Sequence, residues 1–223
     1  MSTTLEAGTT RRARRPAFGV AQLGLAIALV MLPARFAGAW VLTITAGPKM
    51  AFLQVGNGSY SGTYATGGTP LNNSTVNTVS VAVPANVVGS GVAQAMTSNS
   101  SQSVSFYDNF AVCNPPSQVY VGGWVRTPTG AGSGVLSVTS PGALTSVTTT
   151  ATIPFTQISW TSTANGNTAP DIPAGTFNGG TLGLRTIAAN TWVENCHTFF
   201  YANTAVVSAA TYTGQVTYTL VLP

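Results

Sequence analysis

The chain has 223 residues, eight Lys and Arg against four Asp and Glu, one His and two Cys. Charged residues make up only 5% of it and the formal charge is +4, too sparse for the basic face that neutralising nucleic-acid phosphates requires. The same scarcity excludes electrostatic docking on anionic lipid.

Much of the positive charge lies at the N-terminus. Arg11, Arg12, Arg14 and Arg15 precede a 16-residue apolar run, Ala17 to Leu32, which is closed by Pro33 and Arg35 and followed by Ala37-Gly38-Ala39. A basic stretch, a short apolar core and an Ala-x-Ala site form a secretory signal peptide. A spanning helix needs about 20 apolar residues, so the run is too short for a stable anchor. Cleavage is expected between Ala39 and Trp40, giving a signal peptide over 1–39 and one mature domain over 40–223. Removing five Arg and Glu6 leaves 8 − 5 = 3 cations and 4 − 1 = 3 acids, a mature charge near zero. The Ala-rich, Arg-bearing leader points to a bacterial protein that is secreted, periplasmic or on the cell surface.

After Trp40 the chain alternates apolar residues with Thr, Ser and Gln at period two, as in Val79-Ser80-Val81-Ala82-Val83 and Val135-Leu136-Ser137-Val138-Thr139. Period two places one face of a strand inward. The pattern predicts strands over 41–45, 51–56, 76–83, 103–112, 118–126, 134–139, 147–153, 157–161, 181–187, 196–201 and 214–222. Turn chemistry separates them, notably Gly56-Asn57-Gly58, Gly67-Gly68, Asn165-Gly166-Asn167 and Asn178-Gly179-Gly180. The fold class is all-β, an immunoglobulin-like or related antiparallel β-sandwich. Residues 57–75 and 85–102 are poor in large apolar side chains and read as exposed excursions.

Cys113 and Cys196 both fall in the mature part, and two thiols in an oxidising compartment pair. His197 follows Cys196, and neighbours on a strand face opposite ways, so they form no dyad. Glu194 and His197, three apart, also fall on opposite faces. Metal signatures such as Cys-x-x-Cys and His-Glu-x-x-His are absent from the sequence, and neither a metal nor another cofactor is expected. Asp108, Asp171 and Glu194 are read as partners of the mature cations or as turn caps; their convergence into a hydrolase pair remains a distant alternative. No catalytic residue is assigned. Trp124, Trp160, Trp192, Tyr107, Tyr120 and Tyr201 are read as core, with a sugar-stacking platform as the alternative. Tyr60 and Tyr64, in the polar excursion, are the candidates for an exposed contact. Asn57, Asn72, Asn73 and Asn99 match glycosylation sequons but are read as turn residues. Gly122-Gly123 reads as a bulge or close contact.

The segment Thr211-Tyr212-Thr213-Gly214-Gln215-Val216-Thr217-Tyr218-Thr219-Leu220 resembles the closing strand of secreted bacterial pilus subunits of the chaperone–usher and spore-coat-U type. The resemblance covers about ten residues. It implies a complete or incomplete immunoglobulin-like sandwich assembled outside the inner membrane, in which residues 40–46 act as a donor strand for a neighbour or as the first strand of a closed sandwich. The order Cys113, Trp124, Cys196 also matches that of immunoglobulin domains. The expected function is a non-enzymatic structural or adhesive surface protein, fimbria-like, with self-association or other surface proteins as partners. A carbohydrate- or ligand-binding module is the alternative.

Overall fold

The computed structural model describes residues 42–222. The signal region and its cleavage residues Ala37, Ala39 and Trp40 lie outside the described residues. In chain order the strands are β1 (Leu42–Thr43), β2 (Met50–Val55), β3 (Tyr60–Ser61), β4 (Thr69–Pro70), β5 (Val79–Ser80), β6 (Gln94–Ala95), β7 (Thr97–Ser98) and β8 (Val119–Arg126). They continue as β9 (Ser133–Thr139), β10 (Ala143–Thr145), β11 (Thr152–Pro154), β12 (Ile158–Ser162), β13 (Gly175–Thr176), β14 (Thr181–Ala188), β15 (Thr191–Tyr201) and β16 (Thr217–Val221). All pairings are antiparallel. The described helical residues are two 3₁₀ turns, Tyr64–Thr66 and Phe155–Gln157. No helix among the described residues is long and apolar enough to cross a membrane.

Strand β15 organises the larger sheet. Its β-branched and aromatic run, TWVENCHTFFY, favours extended backbone along all 11 residues. One edge pairs with β1 at Thr191–Trp192 and with β12 at His197–Tyr201. The other pairs with β8 at Thr191–Cys196 and with β6 at Phe200–Tyr201. Strand β2 extends the sheet beyond β8, and β13 extends it beyond β12. The second sheet, β14-β9-β16, packs on one face of the first.

The inner core lies between the two sheets. Val121 and Val125 of β8, Val193 and Phe199 of β15, and Leu136 and Val138 of β9 are buried there together. Period two sets this up, because the intervening residues of β9 (Val135, Ser137 and Thr139) turn outward. In β14 the alternation breaks at an irregularity between Gly183 and Arg185, which brings Leu184 and Ile187 to the same core.

Strand β8 is buried along seven consecutive residues, Val119–Val125, where a sandwich strand facing solvent on one side would alternate. The cause is a third layer of irregular chain over the outer face of the larger sheet. Tyr120 and Trp124 of β8, Trp192 and Cys196 of β15, and Phe52 of β2 meet Phe106 and Cys113 from that layer in a separate cluster.

Several expectations are corrected by this arrangement. Only Val79–Ser80 of 76–83 is strand, and only Thr152–Pro154 appears near the end of 147–153. Residues 103–112 form no strand beyond a single bridge, Val104 to Ala111, because the segment closes into a turn with Asn109 at φ 68°. Strand β15 begins five residues before the expected 196, directly after the Asn190 turn (φ 58°). Gly122 and Gly123 form no bulge; both pair in register with β15 and β2. The close-contact reading holds: a Cβ at Gly122 would stand 2.4 Å from the Tyr120 hydroxyl, and one at Gly123 would stand 2.4 Å from the Phe52 carbonyl oxygen.

Candidate functional site

The outer layer carries the densest chemistry among the described residues. Its anchor is a disulfide between Cys113, in the loop before β8, and Cys196 on β15, with Cα atoms 5.5 Å apart. The bridge ties a loop to the outer face of the larger sheet. In immunoglobulin domains the bridge instead crosses between the two sheets, so the Cys-Trp-Cys order is realised here on the opposite side of the sheet, with Trp124 and both cysteines in one outer cluster.

Beside the disulfide, Glu194 points into the same layer. Its Oε2 accepts hydrogen bonds from the Tyr120 hydroxyl at 2.7 Å, the Ser105 hydroxyl at 2.8 Å and the Trp192 indole N–H at 3.0 Å. Glu194 lies opposite Gly122 in register, and the missing side chain there leaves room for the Tyr120 ring to reach across. Burial raises the Glu194 carboxyl above its ordinary range; the three donors oppose the shift and Asp108 adds to it. Burial, and then the neighbouring Glu194 charge, push the Tyr120 phenol well up. A carboxylate holding one donor from the loop layer, Ser105, and two from the sheet acts as a clamp between layers.

A second pin is Asn57. Gly56, at φ 69°, turns the chain into it; the left-handed region and the Asn77 amide, 2.0 Å from a Cβ at this position, both require glycine. The Asn57 Oδ1 accepts from the Ser100 hydroxyl and from the backbone N–H groups of Ser101 and Gln102. The Asn57 carbonyl accepts from Gln54 and Asn73. The Asn99 amide oxygen receives Asn77 and the Thr78 N–H. Asn57, Asn73 and Asn99 therefore do the work of turn residues.

Tyr60 and Tyr64 are half-buried rather than exposed. The polar excursion folds down onto the sheet instead of projecting from it. Tyr60 meets Phe52 edge-on at 5.6 Å between ring centroids, and Tyr64 lies 5.4 Å from Trp192 and 6.0 Å from Tyr107. Burial pushes the Tyr60 phenol up to about 12. Trp124, Trp160, Trp192, Tyr120 and Tyr201 are all core residues.

Glu194 and His197 do face opposite ways. His197 is fully buried on the inner face, stacked on Trp160 at 5.8 Å and edge-on to Phe199 at 6.1 Å. Neither ring nitrogen has a hydrogen-bond partner, and burial lowers its pKa to about 3. Its cross-strand partner is Ser162, whose hydroxyl is also buried and unpartnered. Asp171 pairs with Arg185 at 3.7 Å, and the Asp108 carboxylate accepts from the Phe110 N–H at 3.0 Å. Arg126 lies over the Trp124 ring at 5.3 Å. No group of three or more His, Cys, Asp or Glu among the described residues could hold a metal ion.

Between the turn at 58–63 and the hairpin around Val104–Ala111 lies an open cleft of about 450 Å³, lined by Tyr60, Leu71, Gln102, Ser105 and Asn109 among others. Sequence reasoning missed Asn109, which lines the cleft, and its chain neighbour Phe110, which is 69% exposed. The available signal was an aromatic residue directly after the turn-forming pair Asp108-Asn109. No family model, no curated protein and no solved structure matches the chain.

Proposed function

We propose that this chain is an exported, non-enzymatic structural or adhesive protein of the bacterial cell surface, a pilus-like subunit or accessory. The observation that carries the reading is the covalently clamped outer layer. A buried disulfide belongs to an oxidising compartment, and Glu194, a half-buried carboxylate of the outer layer, is engaged with three scaffold donors. The two remaining acids in that part close a turn and an ion pair. The chemistry-bearing side chains thus serve rigidity, the property a surface subunit needs.

The first strand enters this reading as a docked element. Leu42 and Ile44 pack on the outer cluster, and the Ile44 N–H donates to the Asn190 carbonyl at 2.9 Å. Self-association by exchange would require releasing these contacts. The test is fractionation of the source cells followed by light scattering and electron microscopy of the exported protein, with and without residues 40–46. Surface localisation with assemblies that vanish on deletion, while the remainder stays folded, supports the subunit reading. A protein retained inside the cell overturns it. A ligand-binding module is the second reading, favoured by the cleft between the 58–63 turn and the Val104–Ala111 hairpin.

A further inference from the structure

We propose that the cleft between the 58–63 turn and the Val104–Ala111 hairpin binds a short neutral saccharide. The proposal rests on the adhesive reading above and supplies its ligand. At about 450 Å³ the cleft falls within the roughly 300–1,000 Å³ of small-ligand sites, and its openness suits the end of a chain rather than an enclosed metabolite.

The lining determines the ligand class. No Lys, Arg, Asp or Glu lines the cleft, and the nearby Asp108 directs its carboxylate at the Phe110 N–H. A phosphate, sulfate or sialyl group would find no cation there. The polar lining consists of hydroxyls and amides: Ser59, Thr63, Gln102 and Asn109. Ser59 and Asn109 are exposed, and their side chains make no hydrogen bond within the described protein, so donors and acceptors are available. Two residues of the lining add apolar surface, Leu71 at 55% exposure and the half-buried Tyr60 ring. A pyranose presents the same combination, an apolar C–H face that packs on apolar side chains and a rim of hydroxyls that bond to amides.

The walls are fixed before any ligand arrives. The turn is held by Asn57, and the hairpin by the Val104–Ala111 bridge, the Ser105–Glu194 hydrogen bond and the disulfide at Cys113. Little ordering remains to oppose binding. A shallow site still gives modest affinity, on the order of 10 µM to 1 mM.

The experiment screens the exported, oxidised protein on an array of neutral, sialylated and sulfated glycans and of extended peptides. Calorimetry with the best neutral glycan follows. Leu71→Ala removes the exposed apolar wall; Asn109→Gly removes the amide while tolerating the left-handed backbone. Each is expected to weaken neutral-glycan binding about tenfold or more, while Val147→Ala, at a fully exposed distant site, leaves it unchanged. Circular dichroism melts confirm that each variant folds. A folded wild-type protein that binds no neutral glycan, or prefers charged glycans or peptides, overturns the proposal. So does binding that survives both variants. Surface localisation and assembly measured on the same proteins separate the two readings: a surface protein without glycan binding sinks the cleft alone, whereas a protein retained in the cell sinks the adhesive reading whatever it binds.

Discussion

The two hydrophobic clusters on either side of the larger sheet are built by different means. The inner core is mainly aliphatic, contributed by facing strands whose alternating residues meet across the sandwich. The outer cluster is mainly aromatic, roofed by loops, and fastened by a disulfide and a hydrogen-bonded carboxylate. A sheet face covered by another sheet receives a regular array of side chains, and close packing alone fixes it. A face covered by irregular chain has no ladder to order its roof, so specific cross-links take that part: one covalent bond, Glu194 and the Asn57 hub.

The largest expected effect breaks the outer fastening. Cys113 and Cys196 are 83 apart in sequence, and the chain-entropy model assigns a loop of that size ~4.5 kcal/mol. The double variant Cys113→Ser, Cys196→Ser is expected to lose stability of that order in urea unfolding. The near-ultraviolet signal of Trp124 and Trp192 should change before strand content does. Simultaneous loss of both signals would show that the layers do not separate.

The inner core is sharpened by acid. His197 has its pKa lowered to about 3, below the unfolded value of about 6.5. Below 6.5 the unfolded state binds a proton that the native state refuses, so stability is full above 6.5 and lost progressively as pH falls toward 3. The loss approaches roughly 4 kcal/mol for a shift of this size. Urea titrations across that window should show it in the wild type and much less of it in His197→Phe, which keeps a ring against Trp160 and Phe199. Equal acid sensitivity in both proteins would remove His197 as the cause.

The smallest effect concerns Glu194, whose shift has the opposite sign. Its carboxyl is raised above the unfolded range, so the native state takes up the proton first as pH falls, and the penalty for a buried charge is relieved. Glu194 therefore partly offsets the His197 loss. Glu194→Gln keeps an acceptor oxygen but loses the charge-assisted bonds, at a cost of about 1 kcal/mol at pH 7. Its stability should also fall more steeply than the wild type's as pH falls toward the ordinary carboxylate range. A shallower slope would contradict the assignment.

The sequence by itself determined the all-β class, the positions of β2, β8, β9, β12, β14 and β16, the pairing of the two cysteines and the opposite faces of Glu194 and His197. Each follows from strand periodicity or from simple cysteine counting, and both are local or nearly so. Only the tertiary structure decided the third layer. Residues 57–75 carry the hydroxyls, amides and glycines of an exposed loop, yet they turn Tyr60 and Tyr64 down onto aromatic residues contributed by β2, β8 and β15. Strand β8 conceals its double burial because Gly122 and Gly123 interrupt its apolar run, although one of them makes room for the Tyr120–Glu194 contact. The exposed Phe110 depends in turn on a hairpin held by partners 5 to 89 positions away. Which face a loop covers is set by such long-range contacts, and no periodicity along the chain encodes them.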